Sequence, residues 1–385
     1  MAAGLEVFLA FLRLGLTSFG GPIAHLGYFR AEFVERRRWL GERAYADLVA
    51  LAQFLPGPAS SQTGFAIGLM RGGAIGGLAA WCGFTLPSAI ALVLFAYGAN
   101  GIARSPLGAG VLHGLKLVAV AIVAQAVLGM ARSLCPDRTR AAIALAALAI
   151  MTAAPGSLAQ VGAIVLGGLA GLIFCRAAGR SLPEPVPLPV SRMAGSVCLI
   201  LFFVLLALSF APVRLGSIML FSAFYRSGAL VFGGGHVVLP LLRGAVVTPG
   251  WVSDNAFLAG YGAAQAVPGP LFTFSAYLGT VIAGVWGAVV ALLGIFVPGM
   301  LALTGTLPFW NALRSYGGAQ AVMRGINAAV VGLLGAALYD PVWTSAVQGP
   351  LDFAIAAAGF VLLVAWRAPP LVVVALAAIA GLALA

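Results

Sequence analysis

Apolar stretches follow one another along almost the whole chain, and short polar turns separate them. A helix that crosses a bilayer needs about 20 mostly apolar residues. On that basis we expect membrane helices over residues 74–99, 115–132, 139–154, 158–177, 193–211, 284–309, 325–339, 352–366 and 369–384. The pattern therefore predicts an all-α polytopic membrane protein with about 9–12 membrane helices once shorter segments are included.

Glycine and proline interrupt this pattern at two kinds of place. Residues 4–20 form an apolar helix that breaks at Gly20 and Gly21, and the charged stretch that follows predicts a re-entrant hairpin over 4–35. Residues 44–70 form two short helices that are split at Pro56-Gly57-Pro58 and are predicted to be a second hairpin. Broken backbone at membrane depth is tolerated only where it is buried in protein or lines a polar cavity. The breaks therefore point to the functional site.

The second half of the chain repeats the first at a spacing of 211 to 213 residues. Phe232-Gly233-Gly234 repeats Phe19-Gly20-Gly21, and Pro268-Gly269-Pro270 repeats Pro56-Gly57-Pro58. The matches include bulky and polar residues as well as glycine. The first-half residues are Phe8, Phe11, Arg13, Gly15, Trp39, Gln53, Gly73 and Pro87. Their partners in the second half are, in the same order, Phe221, Phe224, Arg226, Gly228, Trp251, Gln265, Gly284 and Pro298. We predict a first repeat over 1–178, a proline-rich linker with an unmatched helix over 179–213, and a second repeat over 214–385.

Composition supports a membrane protein and excludes a soluble domain. Hydrophobic residues make up 62% of the chain and charged residues only 8%, far from the usual soluble composition. The net charge of +11 does not indicate nucleic-acid binding, because the arginines lie in short loops where cytoplasmic positive charge orients membrane helices. We expect a multi-pass protein of the bacterial inner membrane that contacts lipid, with a homodimer as a further expectation.

The distribution of arginine predicts that the two repeats have opposite orientations. Loop 22–43 is rich in arginine, whereas the matching loop 236–253 holds only Arg243. Positive loops favour the cytoplasm, and the unmatched helix makes the number of crossings between the copies odd. We therefore predict inverted repeats with broken, re-entrant helices, related by a two-fold axis in the membrane plane.

Residues that bind metals or perform acid–base catalysis are few and scattered. The cysteines show no C-x-x-C spacing and are more typical of small apolar packing residues; they are Cys82, Cys135, Cys175 and Cys198. The histidines are far apart, at His25, His113 and His236. We expect no metal, no cofactor and no enzymatic activity.

The ordered motifs resemble the chromate ion transporter family in its long, two-domain form. They are Ser18-Phe19-Gly20-Gly21-Pro22, a helix that ends in Trp39, the run from Gln53 to Pro58, and the second copies at Phe232 and Gln265. The resemblance covers nearly the whole chain. It implies a secondary transporter that exports chromate by antiport or proton coupling, with sulfate as a look-alike oxyanion. A channel, or an exporter of another small anion, is the alternative.

A tetrahedral dianion in a membrane needs several donors, because an uncompensated charge there is very costly. A helix N-terminus supplies free N–H groups and about half a positive charge, and Pro58 and Pro270 each begin a half-helix with hydroxyl residues close behind. We predict that the breaks and these donors bind substrate, namely Gly20, Gly21, Gly57, Ser60, Ser61, Gly233, Gly234, Gly269 and Thr273. The alternative is that Pro-Gly-Pro only turns a tight loop.

Two further pairs of matched residues are candidates for substrate binding. Arg13 and Arg226 each precede a Phe-Gly-Gly break within apolar sequence, and intramembrane arginines are usually functional. Their alternative role is to extend to the membrane interface. Gln53 and Gln265 each precede a Pro-Gly-Pro motif by three residues, so their amides can donate to an oxyanion or to a freed carbonyl.

Three residues near the motifs are candidates for coupling transport to protons. His25 and His236 lie beside the two Phe-Gly-Gly breaks, and histidine titrates near neutral pH. Asp47 lies within a short helix close to the first Pro-Gly-Pro motif. A satisfied polar side chain beside a helix break is the alternative for the histidines.

Overall fold

Every regular element that the computed structural model describes is a helix, as the apolar pattern predicts. The structure describes residues 2–19, 21–102, 106–154, 157–175, 190–211, 216–232 and 235–384. The first half contains α1 (Ala2–Thr17), α2 (Gly21–Phe29), α3 (Glu42–Phe54), α4 (Ala59–Ile102), α5 (Pro106–Leu134), α6 (Arg138–Ala153) and α7 (Ser157–Phe174). The rest contains α8 (Arg192–Leu208), α9 (Gly216–Ala229), α10 (Val238–Leu242), α11 (Asp254–Ala266), α12 (Phe274–Thr306), α13 (Trp310–Ser315), α14 (Gly317–Ala337), α15 (Thr344–Ala346), α16 (Pro350–Val364) and α17 (Pro370–Leu384).

The helices suit a membrane in length and in surface. Four helical stretches of the described chain are long and apolar enough to cross one: Ala59–Gly98, Leu107–Leu134, Leu271–Phe309 and Gly317–Ala346. Shorter apolar helices accompany them, including Arg192–Leu208 and Pro350–Val364. Large apolar side chains such as Ile90 and Leu94 are exposed on the outside, where lipid can cover them. The chain is therefore a multi-pass membrane protein.

The helices break where the glycine and proline motifs predict. α1 ends and α2 begins on either side of the first Phe-Gly-Gly motif, and α3 and α4 flank the first Pro-Gly-Pro motif. The second copy has the same order, with α9, α11 and α12 around its two motifs. Gly20, Gly233, Gly234 and most of the proline-rich linker lie outside the described residues, so the predictions made for them have no structural description.

A further break in α4 and in α12 separates each Pro-Gly-Pro hairpin from the long apolar stretch predicted after it, at 74–99 and 284–309. Gly72 and Gly73 have φ/ψ values of −143°/23° and 62°/−155°, and Ala283 and Gly284 have −146°/31° and 63°/−157°. The second residue of each pair is in the left-handed region, which favours glycine. The near-identical angles mean that the two copies fold alike here, so each Pro-Gly-Pro hairpin ends in a sharp kink before the long helix that follows.

Each copy packs its long helices against the helices of the other. α5 lies against α16 and α17, and the equivalent α14 lies against α6 and α7. A Cβ on Gly114 of α5 would lie 2.1 Å from the Ala377 carbonyl oxygen, and one on Gly325 of α14 would lie 2.0 Å from the Gly167 oxygen. Such glycines let helix backbones approach closely in membranes. The exchange is reciprocal, as in a two-fold symmetric assembly.

The unmatched helix α8 breaks this symmetry. It packs on α9 and α12 of the second copy, and Ser191 caps its beginning by accepting a hydrogen bond from the Ala194 N–H at 3.2 Å, a typical helix-start interaction. Among the described helices, the first copy has no equivalent of α8. Residues of α9 therefore have a neighbour that the matching residues of α1 lack.

Candidate functional site

The two Pro-Gly-Pro loops are joined to the opposite copies by matching hydrogen bonds. The Gly57 N–H donates to the Val231 carbonyl at 2.8 Å, and the Gly269 N–H donates to the Ser18 carbonyl at 2.9 Å. Ser18 and Val231 occupy equivalent positions, just before the two Phe-Gly-Gly breaks. Each Pro-Gly-Pro loop therefore binds the broken helix of the other copy. We call the region around Ser18, Pro22, Gly57, Val231, Gly235 and Gly269 the crossing.

The two broken helices also meet each other at the crossing. A Cβ built on Gly235 would lie 3.4 Å from Cγ of Pro22, and these two residues are equivalent in the two copies. Contact between equivalent residues is expected only at a symmetry axis. Equivalent residues of the two matched halves therefore meet at the crossing.

Positive φ angles make glycine necessary in both Pro-Gly-Pro loops. Gly57 has φ +118° and Gly269 has φ +98°. A Cβ on Gly57 would lie 2.9 Å from Cα of Gly299, and one on Gly269 would lie 2.9 Å from Oγ of Ser88. Gly299 and Ser88 are themselves equivalent positions, so each loop presses on the same part of the opposite long helix.

Gln62 holds the first loop in place from the first turn of α4. Its Nε2 donates to the Pro56 carbonyl at 2.8 Å and to the Gly299 carbonyl of the other copy at 2.9 Å. The side chain is buried, and its Oε1 has no hydrogen-bond partner among the described residues. One amide thus satisfies the Pro56 carbonyl, which the break leaves free, and joins it to a carbonyl inside α12 of the other copy.

His25 and two serines form a buried polar group beside the same turn. Nδ1 of His25 lies 3.4 Å from Oγ of Ser60, and the imidazole packs edge-on against Phe84 at 5.1 Å. His25 is 1% exposed and Ser18 is fully buried. His25 lies on α2, the helix that begins at Gly21 in the first Phe-Gly-Gly break.

Several buried polar atoms near the crossing have no hydrogen-bond partner in the described structure. They are Oγ of Ser18, Nε2 of His25, Oγ of Ser61, Oγ1 of Thr85 and Nε2 of Gln265. Buried polar groups are almost always satisfied, and exceptions in a native fold ask for an explanation. Each of these atoms can donate a hydrogen bond, and α4 adds the free N–H groups of its first turn. The set is suited to an anion with several oxygen acceptors.

The hydroxyls of the second half-helix are engaged within their own turn. Oγ1 of Thr273 donates to the Pro270 carbonyl at 2.7 Å, and Oγ of Ser275 donates to the Phe272 carbonyl at 2.8 Å. The second copy begins this helix with a short 3₁₀ turn at Leu271–Thr273. Thr273 therefore has no donor to offer in this arrangement, although it lies at the predicted place.

The two matched glutamines lie in different environments. Gln53 is exposed, whereas Gln265 is partly buried and leaves its Nε2 without a partner among the described residues. Gln265 lies three residues before Pro268 of the second Pro-Gly-Pro loop, so it is close in sequence to the crossing. The structure places only the second glutamine among buried groups.

The two matched arginines also differ. Arg13 is exposed on α1. Arg226 is half-buried, donates from Nη1 to the Ser209 carbonyl at 3.3 Å, and stacks over the Phe210 ring at 5.2 Å. Ser209 and Phe210 follow α8, the helix without a counterpart in the first copy. The structure does not bring the two arginines to one place.

The remaining coupling candidates have separate surroundings. Nδ1 of His236 is hydrogen-bonded to the hydroxyl of Tyr261 on α11, whereas His25 meets Ser60. Asp47 is partly buried within α3. His25 contacts the half-helix that begins at Pro58 through Ser60.

Three polar residues at or beside the crossing were not predicted as site residues. Gln62 and Ser18 lie within or beside the motifs, and Thr85 lies on the long helix near Pro87. A glutamine in the first turn of an intramembrane half-helix was a usable signal for Gln62, because such an amide must find partners. No pattern in the sequence marks Thr85, since only the folding of α4 over the first break buries it.

Known proteins resemble this chain over its whole length. A family model described as Chromate transporter matches residues 5–172 and 218–382. A chromate transport protein of Pseudomonas aeruginosa is 30% identical over 399 residues, covering 98% of this chain and 91% of that protein. A chromate transport protein of Cupriavidus metallidurans is 26% identical and covers 86% of this chain and 80% of that protein. No solved structure matches the chain.

Proposed function

We propose a function for this chain on the premise that it belongs to the chromate transporter family. The chain is a transporter rather than an enzyme, and we propose that it carries chromate across the bacterial inner membrane as a secondary transporter. Sulfate is a second proposed substrate, because it is also a tetrahedral dianion. The proposed direction is export.

The observation that carries this proposal is the buried set of unpartnered donors at the crossing. Ser18, His25 and Ser61 offer buried hydrogen-bonding atoms without a partner among the described residues. They lie beside the first turn of α4, whose N-terminus favours negative charge. An oxyanion with several acceptor oxygens can accept hydrogen bonds from all of these groups at once.

The pseudo-symmetry of the crossing supports alternating access as the mechanism. In transporters of inverted-repeat type, a central site at the repeat interface is exposed to each side in turn when one unit rocks against the other. The reciprocal bonds of Gly57 and Gly269 support such an interface at the crossing. We propose that the repeats are inverted and that their exchanged contacts alternate during transport.

His25 is our candidate for proton coupling. It is buried beside Ser60, so a proton on its ring adds a positive charge next to the proposed anion. Such a charge offsets part of the desolvation of a dianion. Chromate uptake by inside-out vesicles under imposed pH gradients tests this. Rates that do not respond to a proton gradient in either direction would exclude His25 from coupling.

The transport activity itself is tested in the same vesicles. We expect saturable accumulation of labelled chromate in inside-out vesicles that contain the protein, with inhibition by excess sulfate. Vesicles from cells without the protein are the control. Accumulation that is absent, or that sulfate and other oxyanions do not affect, would count against a chromate and sulfate carrier.

Replacing Ser61 with alanine is expected to weaken chromate transport. A hydrogen bond to a charged group contributes about 1.5–3 kcal/mol, which corresponds to roughly a tenfold or larger rise in the half-saturating chromate concentration. Thr280→Ala is the matched control, because its buried hydroxyl donates to the Ala276 carbonyl within α12. Equal half-saturating concentrations in the two variants, at equal protein abundance, would contradict the proposed role of Ser61.

Cysteine labelling is expected to place the arginine-rich loop 22–43 and the arginine-poor loop 236–253 on opposite sides of the membrane. In a background without the native cysteines, Thr248→Cys should react with a membrane-impermeant maleimide added to intact cells. Gly41→Cys should react only after permeabilisation, because its loop is rich in arginine. Both positions are exposed in the structure. Labelling of both from the same side would rule out inverted repeats.

A further inference from the structure

A cavity lies beside Arg226 in the second copy. Its volume is about 350 Å³, and its walls include Ser222, Arg226, Thr248 and Trp251. Since a water molecule occupies about 30 Å³ in the liquid, the cavity has room for a small hydrated ion. Its lining combines one cationic side chain with an aromatic ring and the three hydroxyl residues Ser209, Ser222 and Thr248.

The positive charge of Arg226 is not balanced by a carboxylate. Among the described residues its partners are the Ser209 carbonyl and the Phe210 ring, and none of the described ion pairs includes it. A guanidinium has five N–H donors, so most of them remain for a ligand. A half-buried arginine without a counter-ion favours binding of an anion from outside the protein.

The matching positions of the first copy carry acidic side chains that are paired with arginines. Glu32 binds Arg36 at 2.9 Å and Arg37 at 2.6 Å, and Glu6 binds Arg71 at 3.0 Å. Arg37 and Arg71 both stack on Trp39 at 5.2 Å. The first copy therefore balances the charge of its arginines here with its own carboxylates.

The second copy has no carboxylates at those positions, although it has the aromatic ring. The spacing of 213 puts Met219 at the position of Glu6 and Ala245 at that of Glu32, and Trp251 matches Trp39. Met219, Ala245 and Trp251 all line the cavity. Positions that hold paired carboxylates in one copy therefore hold apolar cavity walls in the other, and Arg226 lines the same cavity.

We propose that this cavity is a second oxyanion site, a vestibule through which the transported tetrahedral anion passes. The inference rests on the proposed function. Arg226 binds the anion with two charge-assisted N–H hydrogen bonds. The hydroxyls of Ser222 and Thr248 donate further hydrogen bonds to the anion. Arg226 lies in the last turn of α9, five residues before Val231, and Val231 bonds the first Pro-Gly-Pro loop. The cavity thus adjoins the central site.

Quenching of Trp251 by chromate tests the vestibule directly. Chromate absorbs in the near ultraviolet where tryptophan emits, so bound chromate quenches a nearby indole. The protein is reconstituted in phosphatidylcholine nanodiscs, and the Trp251 signal is the difference between wild type and Trp251→Phe, corrected for absorption with free tryptophan amide. We expect saturable quenching that excess sulfate reverses.

Substitutions then show whether Arg226 is responsible. Arg226→Gln should raise the half-saturating chromate concentration at least tenfold, and Arg226→Lys should retain part of the binding because it keeps the charge. Arg192→Gln is the matched control, since Arg192 begins α8 at the end opposite to Ser209 and should change nothing. If Arg226→Gln does not fold, the pair Ser222→Val and Thr248→Val should still weaken quenching several-fold.

The outcomes separate the source of the anion and separate this inference from the proposed function. Chromate quenching of Trp251 that persists in phosphatidylglycerol nanodiscs supports binding of a free oxyanion. Loss of this quenching in phosphatidylglycerol assigns the same site to the phosphate group of a lipid. Absent quenching, or quenching that Arg226→Gln leaves unchanged, overturns the vestibule even if vesicles transport chromate. Vesicles that fail to transport chromate overturn the proposed function, while Arg226-dependent quenching would still stand.

Discussion

Replacing Gly57 with alanine is expected to destabilise the folded protein by about 2–5 kcal/mol and to abolish most transport. The left-handed φ of +118° alone costs a non-glycine residue about 1–2 kcal/mol. The new Cβ would also lie 2.9 Å from Cα of Gly299 and 3.0 Å from Nε2 of Gln62. Both neighbours must move, and the bond from Gly57 to the Val231 carbonyl is strained with them. Thermal unfolding in detergent and transport per molecule measure the two effects.

Two other glycines separate the backbone cost from the steric cost. Gly21 has φ +78°, and a Cβ there would meet nothing within 4 Å, so Gly21→Ala should lose only about 1–2 kcal/mol. Gly27 lies within α2, and its Cβ would also meet nothing within 4 Å. Gly27→Ala should be neutral or slightly stabilising. Equal losses for Gly57→Ala and Gly21→Ala would contradict the close contact at the crossing.

Replacing Gln62 with glutamate is expected to remove transport and to lower stability. The ionised carboxylate cannot donate, so the Pro56 and Gly299 carbonyls lose their partner and face a negative charge. Leaving a buried polar group unsatisfied costs about 1–3 kcal/mol each, or roughly 2–6 kcal/mol for the pair. The charge also repels an anion at the adjoining donors. Chromate uptake per molecule and the unfolding temperature are the measurements.

Gln160 offers a matched control for this substitution. It is also buried, and its Nε2 donates to the Pro240 carbonyl at 2.9 Å, but it lies on α7 away from the crossing. Gln160→Glu should lower stability while the folded molecules transport near the wild-type rate. Gln62→Leu removes the donors without adding charge and should fall between wild type and Gln62→Glu in transport. The same loss of transport per molecule in the Gln62 and Gln160 glutamate variants would refute the proposal that Gln62 adjoins the substrate.

The breaks in the helices could be predicted because they are local. Proline lacks an N–H and glycine tolerates positive φ, so Pro56-Gly57-Pro58 and its second copy had to interrupt a helix wherever they lay. The kink at Gly73 and Gly284 follows from the same property, but a single glycine in an apolar stretch is too common to predict one. The matched sequence indicated that the two kinks are equivalent, and their angles agree.

The sequence by itself determined the all-helical membrane architecture, the place of the breaks and the family, because hydrophobic length and backbone chemistry act over a few residues. Only the tertiary structure decided which groups meet. The hydrogen bonds from Gly57 to Val231 and from Gly269 to Ser18 join different copies. The spacing of the repeats does not reveal whether each loop bonds the broken helix of the other copy or that of its own copy. Arg13 and Arg226 match in sequence yet differ in surroundings, because α8 packs against one copy alone and supplies Ser209 and Phe210 to Arg226 only.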